Sequence, residues 1–231
     1  AQSQIQGPDC SNADIALVVD TSDSVRTVWN AHNGLQTFLR LFIEQFDIGF
    51  DRTRISSQTF GNSGIVNWIL RRHLDLTSML NAVPTQRFVG GRTLYDEALR
   101  VVRTQQFTET SGDRPNSPNI VVLVTDGTES MEARFAVLQE AQRLRDAGAT
   151  IYVIGYGPNA NREYLQQIAG DPRRIYIESS VPRLIETLPN VIATICPRGQ
   201  EVTPSTPFTP RPGGSGMHRK VVNISYIKIL T

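Results

Sequence analysis

Apolar residues alternate along this chain between two rhythms. Ile15-Ala16-Leu17-Val18-Val19 and Ile120-Val121-Val122-Leu123-Val124 are uninterrupted runs, read as strands buried on both faces, and a shorter run surrounds Val153. Between them, apolar positions recur at near-helical spacing, as at Val28, Leu35, Phe38, Leu39, Phe42 and Phe46. The pattern predicts strands at 14–19, 119–124, 150–154 and 175–177. It predicts helices at 25–46, 74–83, 94–105, 131–147, 164–169 and 182–195, with Gly148 ending the fourth. Segments 55–60 and 65–70 flank Gly61-Asn62-Ser63-Gly64 and read as a hairpin, which supplies an antiparallel edge. Strands separated by helices imply an α/β fold: a doubly wound, mostly parallel, Rossmann-like sheet with one antiparallel edge strand and helices on both faces.

In such a sheet, ligands gather beyond the carboxyl ends of the strands, where the winding reverses direction. Two apolar runs end there on chemistry. Asp20-Thr21-Ser22-Asp23-Ser24 follows the first and offers a carboxylate and two hydroxyls; Thr125-Asp126-Gly127 follows the other and offers a second carboxylate. Gly90-Gly91-Arg92-Thr93 adds a third hydroxyl after a glycine turn. Hard oxygen donors of this kind suit Mg²⁺, with Mn²⁺ or Ca²⁺ as alternatives. Two aspartates balance a divalent charge while the hydroxyls stay neutral, so a bound ion would keep its attraction for an outside carboxylate. The plainer alternative is that Asp20 and Ser22 cap a helix beginning near Val25 and Asp126 caps the next one.

These three loops, in this order, resemble the von Willebrand factor A-type domain family, whose metal-ion-dependent adhesion site combines D-x-S-x-S with a distant Thr and a distant Asp. The resemblance covers residues 14–196, and Asp20, Ser22, Ser24, Thr93 and Asp126 all fit the pattern. It implies that Ser22, Ser24 and Thr93 bind the ion, with Asp20 and Asp126 close by, directly or through water. A remaining position would take a carboxylate of a partner. It further implies a non-enzymatic adhesion module of the extracellular matrix type, as in matrilins and collagen VI. The implied partner is a matrix protein, collagen among the candidates, with self-association also open. A structural matrix component braced by its metal is the alternative reading.

Composition narrows the classes. A formal net charge of +1 with 19% charged residues leaves no basic footprint for nucleic acid, and no apolar stretch approaches the roughly 20 residues of a membrane span. The two cysteines, Cys10 and Cys196, bracket the predicted domain. Domain termini commonly lie close together, so a disulfide between them, implying an oxidising, secreted setting, is one reading and two unrelated thiols the other. The opening Ala1-Gln2-Ser3-Gln4 is what signal removal leaves, and equally what any excised fragment shows. The division expected is an N-terminal segment 1–13, a domain 14–196, a Pro/Thr/Ser/Gly-rich linker 197–216 and a tail 217–231 of unassigned role, which carries the glycosylation sequon at Asn223.

One motif competes. Gly155-Tyr156-Gly157-Pro158-Asn159-Ala160 fits the dinucleotide fingerprint G-x-G-x-x-A, with Glu178 near the distance of a ribose-binding acid. It falls late in the chain, however, and Pro158 removes a backbone donor. His32, His73 and His218 sit in no catalytic pattern and read as solvent-facing, and Trp29 and Trp68 read as packing residues.

Overall fold

The computed structural model describes residues 10–127 and 133–196. Residues 1–9, the linker 197–216, the tail 217–231 and Asn223 lie outside the described residues. In chain order the elements are β1 (Asp14–Asp20), α1 (Arg26–Trp29), α2 (Leu35–Ile43), β2 (Arg54–Phe60), β3 (Gly64–Trp68), α3 (Leu76–Ala82), α4 (Tyr95–Val101), β4 (Asn119–Thr125), α5 (Arg134–Asp146), β5 (Thr150–Tyr156), α6 (Arg162–Ala169), β6 (Ile175–Glu178), α7 (Val181–Glu186) and α8 (Leu188–Ile195).

The strands form one sheet in the order β3-β2-β1-β4-β5-β6. Neighbours run parallel except β2 and β3, so the hairpin supplies an antiparallel edge as the glycine turn predicts. From β1 the chain builds outward to β3, then returns to lay β4 on the other side of β1. That reversal opens a crevice above the carboxyl ends of β1 and β4.

Strand alternation splits the core into two layers. Ile15, Leu17 and Val19 of β1, with Ile120, Val122 and Val124 of β4, pack on one face with residues of α1, α2, α3, α7 and α8. Ala16, Val18, Val121 and Leu123 point to the opposite face, toward α4, α5 and α6. Burial on both sides is the reason these strands contain no polar alternation.

Three predicted helices differ from expectation. The single helix at 25–46 is two, because the chain turns at Ala31–Gly34: the Gly34 amide donates to Ala31 O at 2.9 Å. A Cβ at Gly34 would lie 2.1 Å from Val28 O, so only glycine permits this approach. The helix at 182–195 is also divided, into α7 and α8, where Pro189 withholds the N–H that a continuous helix would need. The helix at 94–105 passes after Val101 into a π-helical turn, Val102–Gln106, that carries Gln106 into the interior. Gln106 there donates to Gln58 Oε1 at 2.5 Å and accepts from Ser56 Oγ at 2.6 Å, satisfying polar residues of the fully buried β2.

Opposite the crevice, at the amino end of β1, Arg114 donates to the buried Asp14 carboxylate through Nη2 at 2.7 Å and Nε at 3.0 Å. Cys10 and Cys196 form a disulfide, their Cα atoms 5.7 Å apart, that joins the short segment preceding β1 to the end of α8.

Candidate metal centre

Asp20 is the last residue of β1 and has no exposed surface. Its Oδ1 accepts the Ser22 backbone N–H at 2.9 Å, which curls the loop and aims the Ser22 hydroxyl back over the strand end. Ser22 Oγ lies 3.0 Å from Ser24 Oγ, so the two hydroxyls sit together, Ser22 buried and Ser24 exposed at the rim. No side-chain capping bond is made by Ser22 to the helical turn that follows, so its hydroxyl is not spent on capping.

Across the crevice, the Thr125 hydroxyl donates to Asp20 Oδ2 at 2.8 Å. With its hydroxyl hydrogen directed at Asp20, Thr125 Oγ1 accepts from the Tyr95 hydroxyl and from the Gly127 N–H at 3.0 Å. A directed chain, Tyr95 to Thr125 to Asp20, thus fixes the carboxylate from the α4 side. Asp126 follows Thr125, is nearly buried, and its charge acts on Asp20.

The third loop is bound to the first by backbone. Gly90 N–H donates to Thr21 O at 2.8 Å and Asp23 N–H to Gly91 O at 3.0 Å. Thr21 itself donates twice to Phe60 O, and the Asn62 N–H donates to Gly90 O, so the end of β2 completes the clamp. Gly90 and Gly91 both take left-handed φ values, 77° and 79°, and this paired turn delivers Thr93, 9% exposed, to the start of α4 beside the first loop.

Burial holds the Asp20 carboxyl up at about 6, with the Asp126 charge adding to the rise against the lowering by its hydrogen bonds from Ser22 and Thr125. Among the described residues no cationic side chain pairs with Asp20. A buried carboxylate beside a second one, faced by hydroxyls, is a negative pocket made of hard oxygen, and this donor set fits a divalent cation of the Mg²⁺ type. Among the described residues no three His, Cys, Asp or Glu side chains cluster, so the arrangement is unlike a closed zinc site.

Sequence reasoning missed Thr125 and Tyr95. Thr125 had a signal in its position, since it ends β4 on the same strand face that Asp20 continues on β1. Tyr95 had none, because its reach to Thr125 depends on how α4 packs.

The dinucleotide-like turn is built differently from a phosphate cradle. Gly157 N–H donates to Glu178 O at 3.0 Å, so one of its glycine amides is used within the sheet. Its far end instead packs on the Thr125-Asp126-Gly127 loop, where a Cβ at Gly127 would lie 2.6 Å from Ala160 Cα. His73 also departs from a solvent-facing role: it meets Trp68 edge-on at 5.6 Å and its Nδ1 is 2.7 Å from Ser78 Oγ. Trp29 and Trp68 are both buried.

Residues 14–190 match the von Willebrand factor type A domain. Among curated proteins, the collagen alpha-1(XII) chain of Notophthalmus viridescens is 30% identical over 175 residues, spanning 74% of this chain and 18% of the collagen. Matrilin-3 of Gallus gallus is 30% identical over 168 residues, spanning 71% and 36%. This chain therefore corresponds to well under half the length of either matrix protein. Among solved structures, proximal thread matrix protein 1 from the mussel byssus, with its MIDAS motif occupied by zinc, superposes with a TM-score of 0.70 at 25% identity, covering 81% of this chain and 47% of that one. Manganese-loaded TRAP protein of Plasmodium vivax is alike in fold, with a TM-score of 0.66 at 20% identity, covering 81% and 75%.

Proposed function

We infer the role of this chain from its family, for it belongs to the von Willebrand factor type A domains. We propose that it is a secreted adhesion module of the extracellular matrix that captures a protein ligand through a divalent cation. Ser22, Ser24 and Thr93 supply neutral oxygens, and Asp20 and Asp126 balance the charge directly or through water. When bound, the ion supplies an electrophilic position for a carboxylate of the partner, a matrix protein with collagen among the candidates. Mg²⁺ is the proposed ion, with Mn²⁺ or Ca²⁺ as alternatives. In this reading the site binds and does not catalyse: its oxygens would coordinate, and among the described residues none is paired with a histidine base.

The observation that carries this reading is the uncompensated Asp20 carboxylate, held without exposure at the β1/β4 reversal beside the paired Ser22 and Ser24 hydroxyls. The test is capture from matrix extract with Mg²⁺ and with EDTA, comparing the unmutated chain with Ser24→Ala/Thr93→Ala. Cation-dependent capture that the double variant loses, without loss of fold, is the expected result. Capture undiminished in EDTA would overturn the mechanism.

A second reading has one support, the similarity to a thread matrix protein. In it the chain is a structural component of a fibrous or mineralised scaffold, self-associating, and the ion is a brace. Mg²⁺ would then raise the melting midpoint while no partner's binding became ion-dependent.

A further inference from the structure

The metal site has a tyrosine on each face of the sheet, and the two differ in one respect. Tyr95, on the α4 side, donates into the chain that ends on Asp20. Tyr156, on the opposite side, is 4% exposed, and its hydroxyl finds no hydrogen-bond partner among the described residues. Leaving such a group unpaired in the interior is costly, and buried polar atoms in folded proteins nearly always have a partner or a ligand.

Its position indicates what that partner is. Tyr156 ends β5, next to β4, and the register pairs Thr125 with Gly155, so Asp126 and Tyr156 are adjacent as the two strands finish. Val122 and Val124 on β4 share a face with Tyr152, Ile154 and Tyr156 on β5, and by alternation Asp126 continues that face. The loop beyond Tyr156 packs closely against Gly127, holding this fourth loop to the metal-site loop. Burial, then the charges of Asp20 and Asp126, push the Tyr156 phenol up, so it stays a neutral O–H donor.

We propose that Tyr156 is a positioning residue of the cation site, whose hydroxyl donates to an acceptor oxygen that the ion-loaded site presents, the Asp126 carboxylate or a water carried by the ion. This rests on the metal reading above. Loading the ion gives this donor an acceptor that the described residues do not supply, so the hydroxyl favours the loaded state over the empty one. A residue that only packs would affect both states alike.

That difference in sign is the test. Tyr156→Phe removes one oxygen and keeps the ring in the core. Thermal melts of the unmutated chain and Y156F are run in EDTA and across a Mg²⁺ titration. Y156F is expected to melt no lower than the unmutated chain in EDTA, since an unpaired buried hydroxyl is dispensable, and to bind Mg²⁺ about tenfold more weakly. An equal gain from Mg²⁺ in both proteins overturns the proposal, as does an equal loss of stability with and without the ion, or a Y156F chain that fails to fold in EDTA. An unmutated chain that gains nothing from Mg²⁺ overturns the metal reading itself, an outcome distinct from the others.

Discussion

Thr125 and Asp20 lie 105 residues apart in sequence, yet the Thr125 hydroxyl donates to Asp20 Oδ2 at 2.8 Å with both side chains fully buried. The bond exists because β4 returns beside β1, and it ties the two halves of the winding together at the point where the site forms. Without it, Asp20 would keep one ordered oxygen and one unsupported.

Thr125→Val keeps the shape and removes the hydroxyl. It also takes away the oxygen that accepts from Tyr95 and Gly127. A destabilisation of about 1–3 kcal/mol in urea unfolding is expected, with Thr125→Ser recovering most of it. A valine variant as stable as the parent, with unchanged Mg²⁺ affinity, would show the bond to be incidental.

The ion pair at the other end of β1 separates burial from mere proximity. Asp14 is fully buried and held by Arg114, whereas Arg52 and Asp47 are equally close but both more than half exposed. Arg114→Ala strands a buried carboxylate and should cost about 3 kcal/mol, the surviving backbone donor of residue 114 limiting the loss. Arg52→Ala should cost less than about 1 kcal/mol. Chemical unfolding of the two variants side by side measures the difference.

Much of this architecture was readable because both-face burial leaves its mark on composition. The strands β1 and β4 are apolar at every interior position, so their carboxyl ends, and with them Asp20 and Asp126, could be located before any folding was considered. What failed to register were effects that belong to packing. Val28 and Leu35 are seven residues apart and keep a helical face in step, which concealed the turn that Gly34 makes against Val28 O. The inward swing of Gln106 answers a need created on β2, 48 residues earlier, for a partner to Gln58. Thr125 and Tyr156 acquire their roles only once β1, β4 and β5 stand side by side.

Cys10 and Cys196 close a loop of 186 residues around nearly the whole described fold. In the chain-entropy account such a closure destabilises the unfolded state by about 5 kcal/mol, an upper figure because denatured chains retain structure. Cys10→Ser/Cys196→Ser should therefore lower the urea midpoint strongly. Mg²⁺ affinity should change little, since the bridge sits at the amino end of β1 and the candidate site at its carboxyl end. Parallel loss of ion binding in a variant that remains folded would mean that the two ends are coupled.

The sharpest solution test concerns Asp20 and pH. Its carboxyl is held at about 6 in the folded chain against an ordinary 3.8, so the fold binds this proton more tightly than the unfolded chain does. The associated stability is fully present below the ordinary value and is lost as pH rises through about 6. In EDTA, acidification from pH about 7.5 to about 5 should thus stabilise the protein through this group, by at most about 1.4 kcal/mol. His73 opposes the trend: burial lowers its proton affinity, so its contribution falls as pH drops below its ordinary 6.5. Asp20→Asn isolates the carboxyl, because it retains His73 and abolishes the proton. Saturating Mg²⁺ should reverse the sign for the parent, since a cation favours the ionised carboxylate, with its gain greatest above pH about 6 and fading below it. Melting midpoints of parent and Asp20→Asn at both pH values, with and without Mg²⁺, decide the matter. Identical pH slopes for the two proteins in EDTA would remove Asp20 as the group that couples proton, ion and fold.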